Sequence, residues 1–347
     1  MRDTEPRFSS NYHEARERFR AAVAAHEHGK FDLSEELSVD WAWVGDPAAK
    51  RVRVYSSGLH GIEGFGGGAA QLETLNVADG VATFYLHALN PYGWANLRRV
   101  NENNVDLNRN FLASDQEYSG APSAYTALDP VLNPRTPPGA FDTFWIQAMW
   151  AVLTQGWQAM KNAVVGGQYA FPQGLFYGGD RLQPGPTKFL PFIVERLQGC
   201  ERVVHVDWHS ALGKYGDRTM LLEGDVPEVH AARVRSVLGQ GVRTWAATDT
   251  SAYVIRGGMT AEIMRRLPHV RYDGLTCEFG THPNLKVLAA LRNENRLHHW
   301  GSPTVEHPAK RAIREAFAPT APDWEQAVLR HAREVHELCK RLLESEG

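Results

Sequence analysis

His60 and Glu63 stand three residues apart in the run His60-Gly61-Ile62-Glu63. An imidazole and a carboxylate at that spacing can close on one Zn²⁺ from a single loop, giving two of the three protein ligands that a catalytic site needs. Taken alone, such a loop is more often an ordinary polar turn. A second segment adds to it. In Val203-Val204-His205-Val206-Asp207-Trp208-His209-Ser210, a strand would put His205, Asp207 and His209 on one face and Val204, Val206 and Trp208 on the other. His209, last in that strand, is then the natural third ligand. Asp207 is placed to accept a ring N–H, as metal-bound histidines require, and His205 fits a buried structural role. A third segment, Thr276-Cys277-Glu278-Phe279-Gly280, sets a carboxylate at the end of a short apolar strand. A buried Glu needs a reason, and a general base beside a metal-bound water is one. His282 competes as a ligand, but a surface position suits it better.

Between these lie Arg98-Arg99-Val100-Asn101 and Val105-Asp106-Leu107-Asn108-Arg109-Asn110-Phe111, with three arginines in twelve positions. One reading is a site for a carboxylate or oxyanion, because Arg presents a fixed fork of donors and Asn adds a neutral one. The other is an Asn/Asp turn network whose arginines pair with acids. Both stay open on the segment alone.

The elements that must position these residues follow from periodicity. Residues 52–55 alternate as a strand. Ser56-Ser57-Gly58 breaks the alternation, and a helix is expected over 69–77, so His60 and Glu63 fall at a strand's carboxyl end, where open α/β sheets place ligands. Further strands are expected at 81–89, 202–208, 219–223 and 275–279. Helices are expected at 10–30, 141–165, 187–197, 227–238, 283–298 and 323–344. The aromatic stripe in 141–165 (Phe144, Trp145, Met149, Leu153, Trp157) reads as core packing. Residues 113–139 and 166–185 read as long loops, the first a lid or pocket wall. Strands alternating with helices imply an α/β fold with a mixed, largely parallel central sheet covered on both faces. A single catalytic domain over 1–347 is expected, with the 10–30 and 323–344 helices as additions.

Bulk properties narrow the class. A 347-residue chain with net charge −3 carries no polyanion-binding signature, so nucleic acid is not an expected partner. Cys200, Cys277 and Cys339 form no CxxC pair and suggest neither a disulfide framework nor a Cys-type metal site. No leader-like apolar segment opens the chain, and no stretch reaches about 18 apolar residues. A reducing, cytoplasmic setting without a membrane partner is the expectation.

In their order along the chain, the His60–Glu63 loop, Arg99, the Val-Asp-Leu-Asn-Arg-Asn-Phe motif, His209-Ser210 and Glu278 resemble the zinc carboxypeptidases of the carboxypeptidase A superfamily. Asn90-Pro91-Tyr92-Gly93 and the Gly178-Gly179 loop look most like a bacterial branch classed as a domain of unknown function. The resemblance covers about residues 51–282, and the seven-residue Asn-Arg motif is its most specific part. It implies one Zn²⁺ held by His60, Glu63 and His209, with Glu278 activating the bound water. Arg99 would polarise the scissile carbonyl, Asn108 and Arg109 would grip a substrate carboxylate, and Asp106 would orient the first zinc histidine. Tyr253 is the nearest match to the family's mobile tyrosine. The expected activity is hydrolysis of an amide or peptide bond next to a free carboxylate in a small peptide or amino-acid conjugate. The alternatives are an N-acyl amino acid deacylase, resembling the aspartoacylase and succinylglutamate desuccinylase branch, and a non-catalytic binding module on the same fold.

Overall fold

The computed structural model describes residues 6–75, 77, 79–139, 142–155, 166–223, 226–244 and 256–345. Its centre is an eight-stranded sheet: β1 (Glu27–Asp32), β2 (Ser38–Val44), β3 (Arg51–Ser57), β4 (Ala82–His87), β5 (Arg202–Ser210), β6 (Arg218–Leu222), β7 (Arg243–Thr244) and β8 (Arg271–Phe279). The strand order is β1-β2-β4-β3-β5-β8-β6-β7. The four middle strands, β4-β3-β5-β8, run parallel, while β2 and β6 flank them antiparallel. The sheet is therefore mixed and parallel at its heart, as alternating strands and helices imply.

The alternation in β5 sorts its side chains as expected. Val204, Val206 and Trp208 join the core on one face, with Phe19, Phe65, Trp324 and Val335 from helices Tyr12–Val23, Gly64–Thr74 and Pro322–Glu344. Val203 joins the other face, where Phe189, Ile193 and Ile263 come from helices Pro184–Leu197 and Met259–Arg266. Both faces are thus covered, which is why β3, β4 and β5 read as near-continuous buried strands. The chain leaves β3 through helix Gly64–Thr74 to β4 on one side, and β5 pairs with β3 on the other. A crevice opens at the carboxyl ends of strands where the order diverges in this way.

Several elements differ from the sequence reading. The helix expected over 10–30 stops at Val23, and β1 begins at Glu27. Its buried positions, Tyr12, Ala15, Phe19 and Val23, keep helical spacing only that far. β1 is a solvated edge strand whose polar sequence carries little alternation. The 113–139 segment contains a helix, Ser123–Leu132, and a further helix spans Pro308–Phe317. β8 begins at Arg271 rather than 275, its polar first half being paired inside the fold: buried Asp273 accepts from Arg233 and engages His230. In helix Phe144–Gln155, Phe144 and Ala148 are buried, but Trp145, Ile146, Met149, Trp150 and Leu153 are exposed, so that stripe is not core in this structure. Trp157 and the rest of that expected helix lie outside the described residues. Among the described residues, no helix is long and apolar enough to cross a membrane.

Candidate metal centre

Two glycines let the His60 loop close. Gly58 follows β3 with φ +68°, in the left-handed region that a side chain disfavours. Gly61 lies so near residues 93–94 that a Cβ there would sit 2.2 Å from the Gly93 carbonyl carbon. The loop is pinned by backbone bonds, Gly61 N to Arg99 O (3.1 Å) and Ile62 N to Arg98 O (2.8 Å), so the His60 and Arg99 segments form one unit. His209 arrives beside them because β5 pairs with β3 in register, and Glu278 because it is the cross-strand partner of His209 on β8.

His60, Glu63 and His209 are all buried, and one ligand atom from each falls within 4.8 Å of the others. Glu63 lies between the two rings, its Oε1 2.9 Å from His60 Nδ1 and its Oε2 2.9 Å from His209 Nδ1. The two Nδ1 atoms are only 3.1 Å apart. The opposite ring nitrogens are spoken for: His60 Nε2 meets Asp106 Oδ1 at 3.0 Å and His209 Nε2 meets Asp207 Oδ2 at 2.6 Å. An ionised carboxylate only accepts, so both Nε2 atoms carry hydrogen and both Nδ1 atoms present lone pairs in the neutral ring. Two lone pairs and a carboxylate then face one point, an arrangement that repels itself unless a cation sits among them. Protons can fill that need in part. Burial alone would lower the pKa of His209, but Asp207 and Glu63 outweigh it and hold the ring well above its usual range. Glu63, which burial would raise, is instead held far below its usual range by the two histidines. Two imidazoles and one carboxylate, each histidine backed by a second carboxylate, suit Zn²⁺ in donor type and number.

The surrounding groups are equally well fixed. Arg99 donates to Glu63 Oε1 (3.0 Å) and Asp106 Oδ2 (3.1 Å), so in this state its guanidinium is engaged by acids of the cluster. Phe176, in the left-handed region at φ 56°, lies against that guanidinium, 5.6 Å from ring centre to Cζ. Asp106 is completely buried and also accepts from Asn108 N, while its own N donates to Tyr177 O at 2.7 Å, so the 166–185 segment forms a wall behind it. Burial would raise the Asp106 carboxyl, but Arg99, His60 and Arg109 bring it well below the usual carboxylate range. Glu278 accepts from Leu212 N at 3.3 Å, and its pKa is pushed up by burial and then by the negative charge of Glu63. Asn108 and Arg109 are buried nearby; Asn108 Oδ1 accepts from Met259 N at 3.3 Å, and Arg109 donates to Asn108 O. His282 stays apart, paired with Glu315. Tyr253 lies outside the described residues.

Ser210, whose N–H donates to Glu63 Oε2 at 3.1 Å, and Leu212 N are site donors that side-chain types could not announce, because both act through the backbone. Ser56 was likewise read only as a strand breaker. Its donation to Asp207 at 2.6 Å follows from strand register, which one segment's sequence does not carry.

A mixed α/β sheet with a buried His-Glu-His cluster at the carboxyl ends of β3 and β5 defines the carboxypeptidase type of fold. Bovine thrombin-activatable fibrinolysis inhibitor, solved with tick carboxypeptidase inhibitor, superposes with a TM-score of 0.51 at 11% identity, over 97% of this chain and 98% of that one. The murein-tripeptide amidase of Escherichia coli O157 matches at TM-score 0.40 and 17% identity, over 80% of this chain and 95% of that one. Carboxypeptidase A of Helicoverpa armigera matches at 0.42 and 12%, over 92% of this chain and 72% of that one. No curated protein sequence matches the chain. Residues 8–331 match the model of a family described as protein of unknown function DUF2817, and the chain belongs to that family.

Proposed function

We propose that this protein is a zinc-dependent hydrolase that cleaves an amide or peptide bond next to a free carboxylate. The observation that carries the reading is the convergence of His60 Nδ1, His209 Nδ1 and the Glu63 carboxylate on one buried point, with an aspartate behind the other nitrogen of each ring. His60, Glu63 and His209 would hold one Zn²⁺ per chain. Zinc in such a site supplies Lewis acidity toward a carbonyl oxygen and lowers the pKa of water to about 7.

The chain's own residues supply the rest. Glu278, opposite His209 across the β5–β8 pair, takes the proton of the attacking water and returns it to the leaving amine. A carboxylate pushed toward the protonated form by its surroundings is matched to both halves of that task. Arg99 is poised beside Glu63, and its positive charge stabilises the negative charge that develops on the carbonyl oxygen. Arg109, with Asn108, offers a planar fork for a substrate carboxylate. The substrate is then a small peptide or amino-acid conjugate. A cytoplasmic setting belongs to the same proposal and rests on three cysteines that are buried and free.

Elemental analysis together with a paired assay tests this. One zinc per chain and hydrolysis of free-acid dipeptides over their C-terminal amides are expected. A protein that takes up zinc but cleaves only N-acyl amino acids would move the assignment to a deacylase, and one that binds no metal would remove it.

A further inference from the structure

Asp106 and Asp207 support their histidines by different means. Asp106 is neutralised by the Arg99 guanidinium and anchored by the Asn108 N–H. Asp207 has no arginine or lysine in hydrogen-bond contact among the described residues. Its Oδ2 takes His209 Nε2, and its Oδ1 accepts from Ser56 Oγ at 2.6 Å. Ser56 Oγ also lies 2.7 Å from His205 Nε2, and His205 Nδ1 meets the hydroxyl of Tyr272. The direction of each link is fixed from the acidic end. Asp207 can only accept, so the Ser56 hydrogen points at it and the Ser56 oxygen must accept from His205 Nε2–H. His205 Nδ1 is then a lone pair, and it accepts from Tyr272 O–H. One chain of hydrogen bonds runs Tyr272, His205, Ser56, Asp207, His209, with no alternative proton order that satisfies all its members.

Register and packing build this line across three adjacent strands. Ser56 on β3 is the cross-strand partner of Asp207, and His205 that of Gly274 on β8. Gly274 lets Tyr272 reach over: a Cβ there would stand 3.3 Å from Tyr272 Cε1 and 3.1 Å from Thr260 Cβ. Ser56 and His205 are fully buried and Tyr272 nearly so. A bare buried carboxylate would be costly here, and a linear run of neutral donors satisfies it without removing its charge.

We propose that Tyr272, His205 and Ser56 are positioning residues for the metal site, bracing Asp207 so that its full charge and fixed geometry act on His209. The inference rests on the zinc reading of the His60–Glu63–His209 cluster. It goes beyond that reading by assigning the affinity of the site to three residues that touch neither metal nor substrate. Loss of an outer hydrogen-bond partner typically costs about 10–100-fold in metal affinity.

The test is zinc affinity, measured by competition with a chromophoric chelator on the whole chain, with Co²⁺ spectra and thermal melts alongside. Ser56→Ala is expected to raise the zinc Kd by about 10–100-fold and to shift the Co²⁺ ligand-field bands. Tyr272→Phe, which keeps the ring and loses only the terminal donor, is expected to move both in the same direction by a smaller factor. It carries the test should Ser56→Ala fail to fold. Tyr12→Phe, which removes the donor of a buried bond to Ser38 O in the helix–sheet packing, is the control, expected to lower the melting temperature at an unchanged Kd. Wild-type Kd and Co²⁺ spectra in both brace variants, with melting temperatures lowered as in the control, would overturn the proposal. Failure of the wild type to bind zinc would instead remove the metal reading on which it rests.

Discussion

Glu63, Asp106, Asp207 and Arg99 are each held by at least two partners, whereas Glu278 accepts from Leu212 N, and that separates roles which would otherwise blur. Glu278→Gln keeps the side chain's shape and removes its basicity. We expect unchanged zinc content and a kcat lower by about 10²–10⁴-fold, read by steady-state kinetics beside elemental analysis. A variant with wild-type kcat would exclude Glu278 as the base. Arg99 and Arg109 should divide differently. Arg109→Ala should raise KM for free-acid substrates while leaving their amides nearly unaffected. Arg99→Ala should lower kcat and also weaken zinc, because its guanidinium steadies both Glu63 and Asp106. An Arg99→Ala protein with full zinc affinity would show that those contacts do not hold the ligands in place. His60, Glu63, His209, Asp207 and Glu278 stood out by type, spacing and strand phase, and Asp106 through the family resemblance; the structure buries His60, Glu63, His209, Asp106 and Asp207 together. The Ser56–His205–Tyr272 line was not legible, since it exists only once β3, β5 and β8 lie side by side.

Among elements, the parallel centre was easier to read than the margins. β3, β4 and β5 carry unbroken apolar or strictly alternating runs because both faces are covered. β1 shows solvent one whole side and an open edge, and its sequence, Glu-His-Gly-Lys-Phe-Asp, hides the strand. Helix Ser123–Leu132 was hidden by its neighbourhood of Pro, Ser and Asp and by Pro130 within it. It is stabilised instead by distant bonds, such as Tyr125 Oη to Leu175 O at 2.6 Å. The turn carrying His60 offers a sharp test of element packing. Gly61→Ala would drive a Cβ to 2.2 Å from both Gly93 C and Trp94 N, which are backbone atoms and cannot swing aside. We expect a loss of about 1–3 kcal/mol or more in urea unfolding, with weakened zinc binding as His60 shifts. A variant as stable as the wild type would mean that the His60 and Pro91–Ala95 segments are not in the contact described.

Over the whole molecule, the polar groups enclosed between sheet and helices set how the fold answers to acid. Burial pushes His205 down to about 4, with Asp207 offsetting part of the effect. Burial, and then the charge of Arg20, pushes His87 down to about 3; its ring lies flat on Phe19 at 4.5 Å. In the unfolded chain both titrate near 6.5. Above that value both states are neutral and these groups leave stability independent of pH. As pH falls through 6.5, the unfolded chain gains protons that the folded chain refuses until about 4 or 3. Stability therefore drops with falling pH across that window, by up to about 1.4 kcal/mol per pH unit for each histidine. Urea unfolding of chelator-treated protein at pH 7, 6 and 5 should show the decline, and His87→Asn should make it shallower. His87→Asn with the same slope from pH 7 to 5 as the wild type would mean that the His87 ring is not held neutral by the fold.

Glu63 and His209, whose side chains meet at 2.9 Å, are 146 residues apart along the chain. On the zinc reading they are tied by a reversible staple across nearly half the polypeptide, the kind of long loop whose closure is entropically dear. An ion that binds the folded form alone adds about 2.7 kcal/mol at one hundred times its Kd. The free-zinc concentration then acts as a dial on the lifetime of the fold as well as on turnover. Cells or buffers poor in the ion would hold a less stable folded population.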